Sequence, residues 1–453
     1  MSQSTATDYL LDDVWLVPMD GPDGAPLGDV RRGALRVQNG RIAALGDLAP
    51  LPGERRERGR GRYVLPGFVQ GHVHATQTLF RGLADDLPLL PWLRERIWPL
   101  EHAHDEDSTR LSAELTFAEL LLGGTTTAQT MESVRHTQVT AEVAHAFGLT
   151  VILGNCLIDV QSPGLPAGMA TTATQAIAET DALRRQWHGR GCLQVAVCPR
   201  FVLSCSEELA RDAAAYARQH GLRLHTHAAE HPDEIAAVRA HFGRDYLQVL
   251  DAQGQLGPHT SLAHCVHTTA DERRLLRERD VAVLHCPSTN LKLGSGIAPI
   301  AAYHRDGIRV ALGADGAPCN NRLSMLTELR QAALLQALHA GPGRWPAEQA
   351  LATATRGGAA ALGLADECGR LAVGLRADFC LFDLDDPRLG LPDPTRPASA
   401  LVYGASHRHL EAVCVGGTLV VRDGRLTGVD LDALQQRVRA TVPAVLARAG
   451  LHR

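Results

Sequence analysis

Short apolar runs broken by turn signals open the chain: Val14–Val17, the Asp20-Gly21 and Asp23-Gly24 turns, then Ala34–Val37 followed by Asn39-Gly40, a tight-hairpin pair. Residues 8–62 therefore read as short strands. From Val64 to about Leu364, β-branched runs alternate with longer Ala/Leu/Glu/Arg stretches of helical period, the pattern of βα units around a parallel sheet. The candidate strands are 64–70, 125–130, 149–155, 192–198, 222–227, 260–264, 281–285 and 308–314. Eight such strands in about 250 residues predict an α/β fold, a (β/α)8 TIM barrel. Beyond it, 371–383, 400–403 and 411–426 return to strand-like runs with Gly416-Gly417 and Asp423-Gly424 turns, before an amphipathic helix at about 430–448. Short terminal strands cannot form a stable sheet alone. Both ends are expected to pair, so 1–62 and 370–453 form one small split β-sandwich domain with the C-terminal helix, and 63–369 the barrel.

Composition narrows the function classes. The 453 residues are 45% hydrophobic, enough for a large core, and carry 45 Lys plus Arg against 50 Asp plus Glu with 4% aromatics. Neither a cationic field nor a stacking platform is present, so nucleic acid is not expected as a partner. The start, MSQSTATDYLLDDVWLVPMD, lacks a basic n-region and a long apolar h-region, and no later stretch has the apolar length of a membrane span; a cytoplasmic protein without membrane partners is expected. The ten Cys form no CxxC pair and read as reduced, mostly buried residues. Histidine is the unusual count, at 21.

In such a barrel, residues at the C-terminal ends of strands converge on one face. These ends carry His72-Val73-His74, His225-Thr226-His227, His264-Cys265-Val266-His267, His285-Cys286-Pro287 and Ala314-Asp315-Gly316. Alternate strand residues share a face, so His72 and His74 can point at one ion. With a further His and Asp315 they make a nitrogen-rich, borderline-soft donor set that suits Zn²⁺ or Fe²⁺.

Several motifs together, Val64-Leu65-Pro66-Gly67-Phe68 leading into His72-Val73-His74, His227-Ala228-Ala229-Glu230, Ala263-His264-Cys265-Val266-His267, Gly313-Ala314-Asp315 and the tail Gly369–Gly374 with Ala377-Asp378, carry a family resemblance. Over essentially its whole length the chain resembles the amidohydrolase superfamily, in its branch of deaminases and triazine hydrolases. The resemblance implies that His72, His74, His227 and Asp315 bind one divalent metal. It implies that His264 contacts the attacking water or the substrate, and that Glu230 shuttles a proton. The strand Leu193–Pro199 holds no Lys to bridge two metals. The implied reaction begins with water acidified by the metal, which loses its proton to Asp315. It adds to a ring carbon while Glu230 protonates the adjacent ring nitrogen, and ammonia leaves.

The loops address the substrate. Gln77, and Arg200-Phe201 after strand 4, look like guanine deaminases, in which such a Gln and Arg read the purine. Leu79–Pro88, Trp92-Leu93, Ile97-Trp98-Pro99, Ser288–Leu293 and Gly316–Asn321 instead resemble deaminases of 5′-substituted adenosines. The expected substrate contacts are Gln77, Trp92, Arg200, Phe201, Glu230 and His264. The expected function is hydrolytic deamination of a purine-type ring in a small heterocyclic substrate, 5′-substituted adenosine first and guanine second, by a homo-oligomer, a dimer. An s-triazine chlorohydrolase or alkylaminohydrolase is the alternative, and a non-catalytic assembly module a remote one. His225, His267 and His285 receive no role.

Overall fold

The computed structural model describes residues 8–451. The first seven residues of the expected 1–62 segment, and the last two of 370–453, lie outside them. Two compact units emerge, one comprising the described residues through Gln70 with Ala118–Thr127 and Ser324–Val429, the other Gly71–Phe117, Ala128–Leu323 and the residues from Asp430 onward.

The first unit holds a mixed sheet built from both chain ends. Strands β1 (Tyr9–Leu16), β2 (Arg31–Gln38), β3 (Arg41–Gly46) and β4 (Arg56–Pro66) come from the N-terminal part. Asn39 and Gly40 both take positive φ, as the β2–β3 hairpin requires. Strand β4 pairs antiparallel with Phe379–Phe382, so Pro66 faces Phe379 and Tyr63 faces Phe382, and joins the ends into one sheet. Tyr9, Val14, Leu35, Val64, Phe379 and Cys414 share its core.

The barrel strands are β5 (Phe68–Val73), β6 (Thr125–Met131), β7 (Thr150–Gly154), the short β8 (Cys156–Leu157), β9 (Leu193–Pro199), β10 (Arg223–Ala228), β11 (Thr260–His264), β12 (Ala282–His285) and β13 (Val310–Leu312). Apart from β8, a two-residue spur on β9, they run side by side in chain order, and a parallel bridge from Val73 to Asp315 joins the last to the first. The intervening helices follow local rules. In Glu207–His220, Ser206 accepts the Leu209 N–H at the start and Gly221, at φ 63°, ends the helix, while Leu209, Ala213 and Ala217 pack inward.

Three expectations are corrected. The run 64–70 is not one strand: Val64–Pro66 ends β4, and β5 starts at Phe68. Gly67 lies between them, where a Cβ would come within 2.2 Å of Thr126 Oγ1 and only glycine fits. The run 400–403 is a wide helical turn, Ala400–Gly404, closed by Ala405 N–H to Ala400 O at 2.7 Å; a short apolar run has no period that separates helix from strand. Of 371–383 only Phe379–Phe382 is strand, since Gly374, at φ 90°, interrupts the run. The last helix is Leu431–Arg448, as expected, but it groups with the barrel unit through Arg437–Glu114 at 2.6 Å and Arg448–Asp105 at 3.1 Å. Among the described residues no helix is long and apolar enough to cross a membrane.

Candidate active site

Strand geometry brings the imidazoles together. His72 is the penultimate residue of β5, His74 directly follows that strand, and His227, His264 and Asp315 arrive from β10, β11 and the turn after β13. His74 Nε2 lies 3.2 Å from His227 Nε2, and Asp315 Oδ1 lies 3.1 Å from His72 Nε2 and 3.3 Å from His74 Nε2. One donor atom each from His72, His227, His264 and Asp315 fall within 4.8 Å of one another. Ala229, His264, Cys265 and Asp315 all hold positive φ, a cluster of left-handed non-glycine residues that ordinary loops do not sustain.

The tautomers follow from the outer partners, because a carbonyl can only accept. His74 Nδ1 donates to Met131 O at 2.7 Å and His227 Nδ1 to Arg200 O at 2.7 Å, leaving both Nε2 lone pairs facing inward. His264 Nδ1 sits 2.9 Å from Asn290 Oδ1 and His72 Nδ1 2.8 Å from His225 Nε2. His72 Nε2 and His264 Nε2 are buried without hydrogen-bond partners. Buried lone pairs aimed at one point beside a carboxylate fit a divalent cation, so this cluster could hold a metal.

Electrostatics separates the two carboxyls of the site. Burial works to raise the Asp315 carboxyl, but the close approach of the His72 and His74 imidazoles to its Oδ1 outweighs it and holds the group well below the usual range. Burial pushes Glu230 well above that range, and the negative charge of Asp315 adds to the effect. Both causes favour the protonated form of Glu230, whose Oε2 lies 3.4 Å from His264 Nε2. Burial also favours the neutral forms of His72, lowered to about 4, and of His264, held below its usual value. Two carboxyls pushed in opposite directions thus flank one cavity, an arrangement suited to acid–base chemistry.

That cavity is lined by His74, His227, Glu230, His264 and Asp315 on the polar side and by Leu89, Trp92, Leu93 and Phe201 on the apolar side. Of the expected substrate contacts, Trp92, Arg200 and Phe201 reach its wall. Gln77 does not line it: its Nε2 donates to Glu101 Oε1 at 2.8 Å, and Arg200 donates to both Glu101 oxygens at 2.7 and 3.3 Å. Sequence reasoning missed Glu101, which follows Ile97-Trp98-Pro99 but is 99 positions from Arg200. It also missed Glu234, buried in the cavity wall, which accepts the Glu230 N–H at 3.0 Å and the Tyr246 hydroxyl at 2.6 Å. His267 Nε2 is tied to Ser295 O at 2.5 Å, and His285 is buried with neither ring nitrogen hydrogen-bonded.

Residues 63–420 match the model of the Amidohydrolase family. The chain is 36% identical over 441 residues to a 5-methylthioadenosine/S-adenosylhomocysteine deaminase of Syntrophobacter fumaroxidans, covering 96% of this chain and 98% of the relative. It is 37% identical over 433 residues to an 8-oxoguanine deaminase of Pseudomonas aeruginosa, covering 92% and 95%. Among solved structures, an adenosine deaminase from Xanthomonas campestris with bound zinc superposes with a TM-score of 0.88 at 30% identity, over 97% of this chain and 99% of that one. With the family model matching well over half of its length, the chain belongs to the amidohydrolase family.

Proposed function

We propose that the chain is a metal-dependent aminohydrolase that deaminates a purine-type ring, 5′-substituted adenosines first and guanine-type bases second, in the cytoplasm and as a homodimer. The observation that carries this reading is the pair of buried carboxyls that converge on His264 Nε2, Glu230 at 3.4 Å and Asp315 at 3.8 Å, beside the histidine cluster. Relatives named for adenosine-type and guanine-type substrates support the order of substrates.

His72, His74, His227 and Asp315 would hold one divalent ion, Zn²⁺ first and Fe²⁺ second, which when bound supplies acidified water as a nucleophile near neutral pH. Asp315 accepts the proton of the attacking water. His264, neutral with its Nε2 lone pair facing the cavity, accepts a hydrogen bond from the incoming hydroxyl and aims it. Glu230 gives its proton to the ring nitrogen beside the carbon that bears the amine, so the ring can receive the electrons of the new C–O bond. The proton held by Asp315 then passes to the amine, the C–N bond breaks and ammonia leaves, and the hydroxyl proton of the adduct returns to Glu230, so that a ring carbonyl remains. Phe201 and Trp92 sandwich or edge the planar ring, and Arg200, steadied by Glu101 and Gln77, meets its polar edge.

The test is an ammonia-release screen of zinc-loaded protein against methylthioadenosine, S-adenosylhomocysteine, 5′-deoxyadenosine, guanine, 8-oxoguanine and amino- and chlorotriazines. Turnover of a purine supports the reading. Release of chloride or alkylamine from a triazine, with every purine inert, transfers the function to the triazine alternative.

A further inference from the structure

Alternation along β10 puts His225 on the same side as His227 but one layer deeper in the barrel. There its Nε2 meets His72 Nδ1 at 2.8 Å, while its own Nδ1 lies 3.2 Å from Ser261 O and 3.4 Å from Ser261 Oγ. Gln129 Nε2 donates to Ser261 Oγ at 2.8 Å and steadies this end of the chain. His225, Ser261 and Gln129 are fully buried, so bulk water does not compete for these bonds.

We propose that His225 is a positioning residue for metal binding, fixing the tautomer and the plane in which His72 offers its Nε2 lone pair. The inference rests on the reading of the cluster as a metal centre, and the chemistry is one of direction. Ser261 O accepts only, so the proton of His225 sits on Nδ1 and its Nε2 faces His72 as a lone pair. His72 must then donate from Nδ1, which frees Nε2.

The competing tautomer has an attraction of its own. A proton on His72 Nε2 would find Asp315 Oδ1 3.1 Å away, and in that form the lone pair needed by the ion is gone. His74 and His227 are guarded against this by backbone carbonyls, which no substitution removes. His72 depends on another imidazole, so its guard can be deleted. Outer partners of this kind are typically worth about 10–100-fold in metal affinity.

The experiment measures the zinc dissociation constant of the full chain by competition with a chromogenic chelator, for the native protein, His225→Phe and His225→Gln. Phe keeps the ring and loses the acceptor; Gln keeps an acceptor oxygen. The expected result is about 10–100-fold weaker zinc binding for His225→Phe, with His225→Gln recovering to within about threefold of the native value. If His225→Phe does not fold, His225→Leu takes its place in the same comparison. Native affinity in the Phe or Leu variant, or equal losses in that variant and His225→Gln, overturns the proposal. Failure of the underlying metal reading looks different: native protein that takes up no zinc, or whose affinity is untouched by His72→Ala, removes the centre itself.

Discussion

Arg200 and Glu101, 99 positions apart, form a buried two-pronged ion pair, with Nη1–Oε2 at 2.7 Å and Nη2–Oε1 at 3.3 Å and both side chains almost fully enclosed. The guanidinium that the sequence offers to the substrate is therefore half-committed to a carboxylate. Gln77 binds the same carboxylate, so the three act as one unit.

Breaking that pair strands a charge. Arg200→Ala is expected to destabilise the fold by about 3–5 kcal/mol, as removal of one partner of a buried pair does, and to lower kcat/KM for purine substrates sharply. Urea unfolding and steady-state kinetics read the two effects separately. The double variant Arg200→Met/Glu101→Leu should be more stable than Arg200→Ala alone, because no unpaired charge remains. Native stability in Arg200→Ala contradicts the coupling.

Glu230 is expected to work through its proton. Glu230→Gln should keep its metal and lose about 10²–10⁴-fold in kcat, the usual worth of a positioned acid–base group. Elemental analysis beside single-turnover kinetics checks both halves; near-native turnover refutes the shuttle.

The pH dependence has a definite sign. The raised Glu230 carboxyl is protonated in the fold below its own pKa and donates in that form, so kcat should fall as pH rises through that value and stay low above it. The same group binds a proton in the native state that the unfolded chain has already lost, so its contribution to stability declines as pH climbs from the ordinary carboxylate value toward the raised one. In Glu230→Gln the alkaline loss of residual kcat should disappear. A limb that persists unchanged assigns it to another group.

Metal content follows from the donor set. About one zinc per chain is expected after loading, with activity lost to a chelator and regained on adding zinc. His227→Ala should lose metal and activity together. Two tightly held ions per chain contradict the single centre.

Much of the site was legible in the sequence because strand ends in a barrel converge whatever the loops do. Position put imidazoles and Asp315 at the converging strand ends, and the family resemblance singled out His72, His74, His227, His264 and Asp315, which the structure brings within a few ångströms of one another. What escaped were residues whose meaning lies in a distant partner. Glu101 looks like any surface carboxylate until Arg200 faces it, and His225 like a spare histidine until His72 lies 2.8 Å away. The strand placed at 64–70 failed because the chain passes at Gly67 from one sheet to the other, a change of pairing that the local pattern does not reveal.

Hydrolytic deamination is tested most directly by supplying a purine nucleoside or base to the zinc-loaded protein in heavy-oxygen water and analysing the product by mass spectrometry. One solvent oxygen should replace the ring amine, with one ammonia released per product, the reaction stopping on chelation and resuming with zinc. A purine product without solvent oxygen, or formation that continues unabated in the metal-stripped protein, would contradict it.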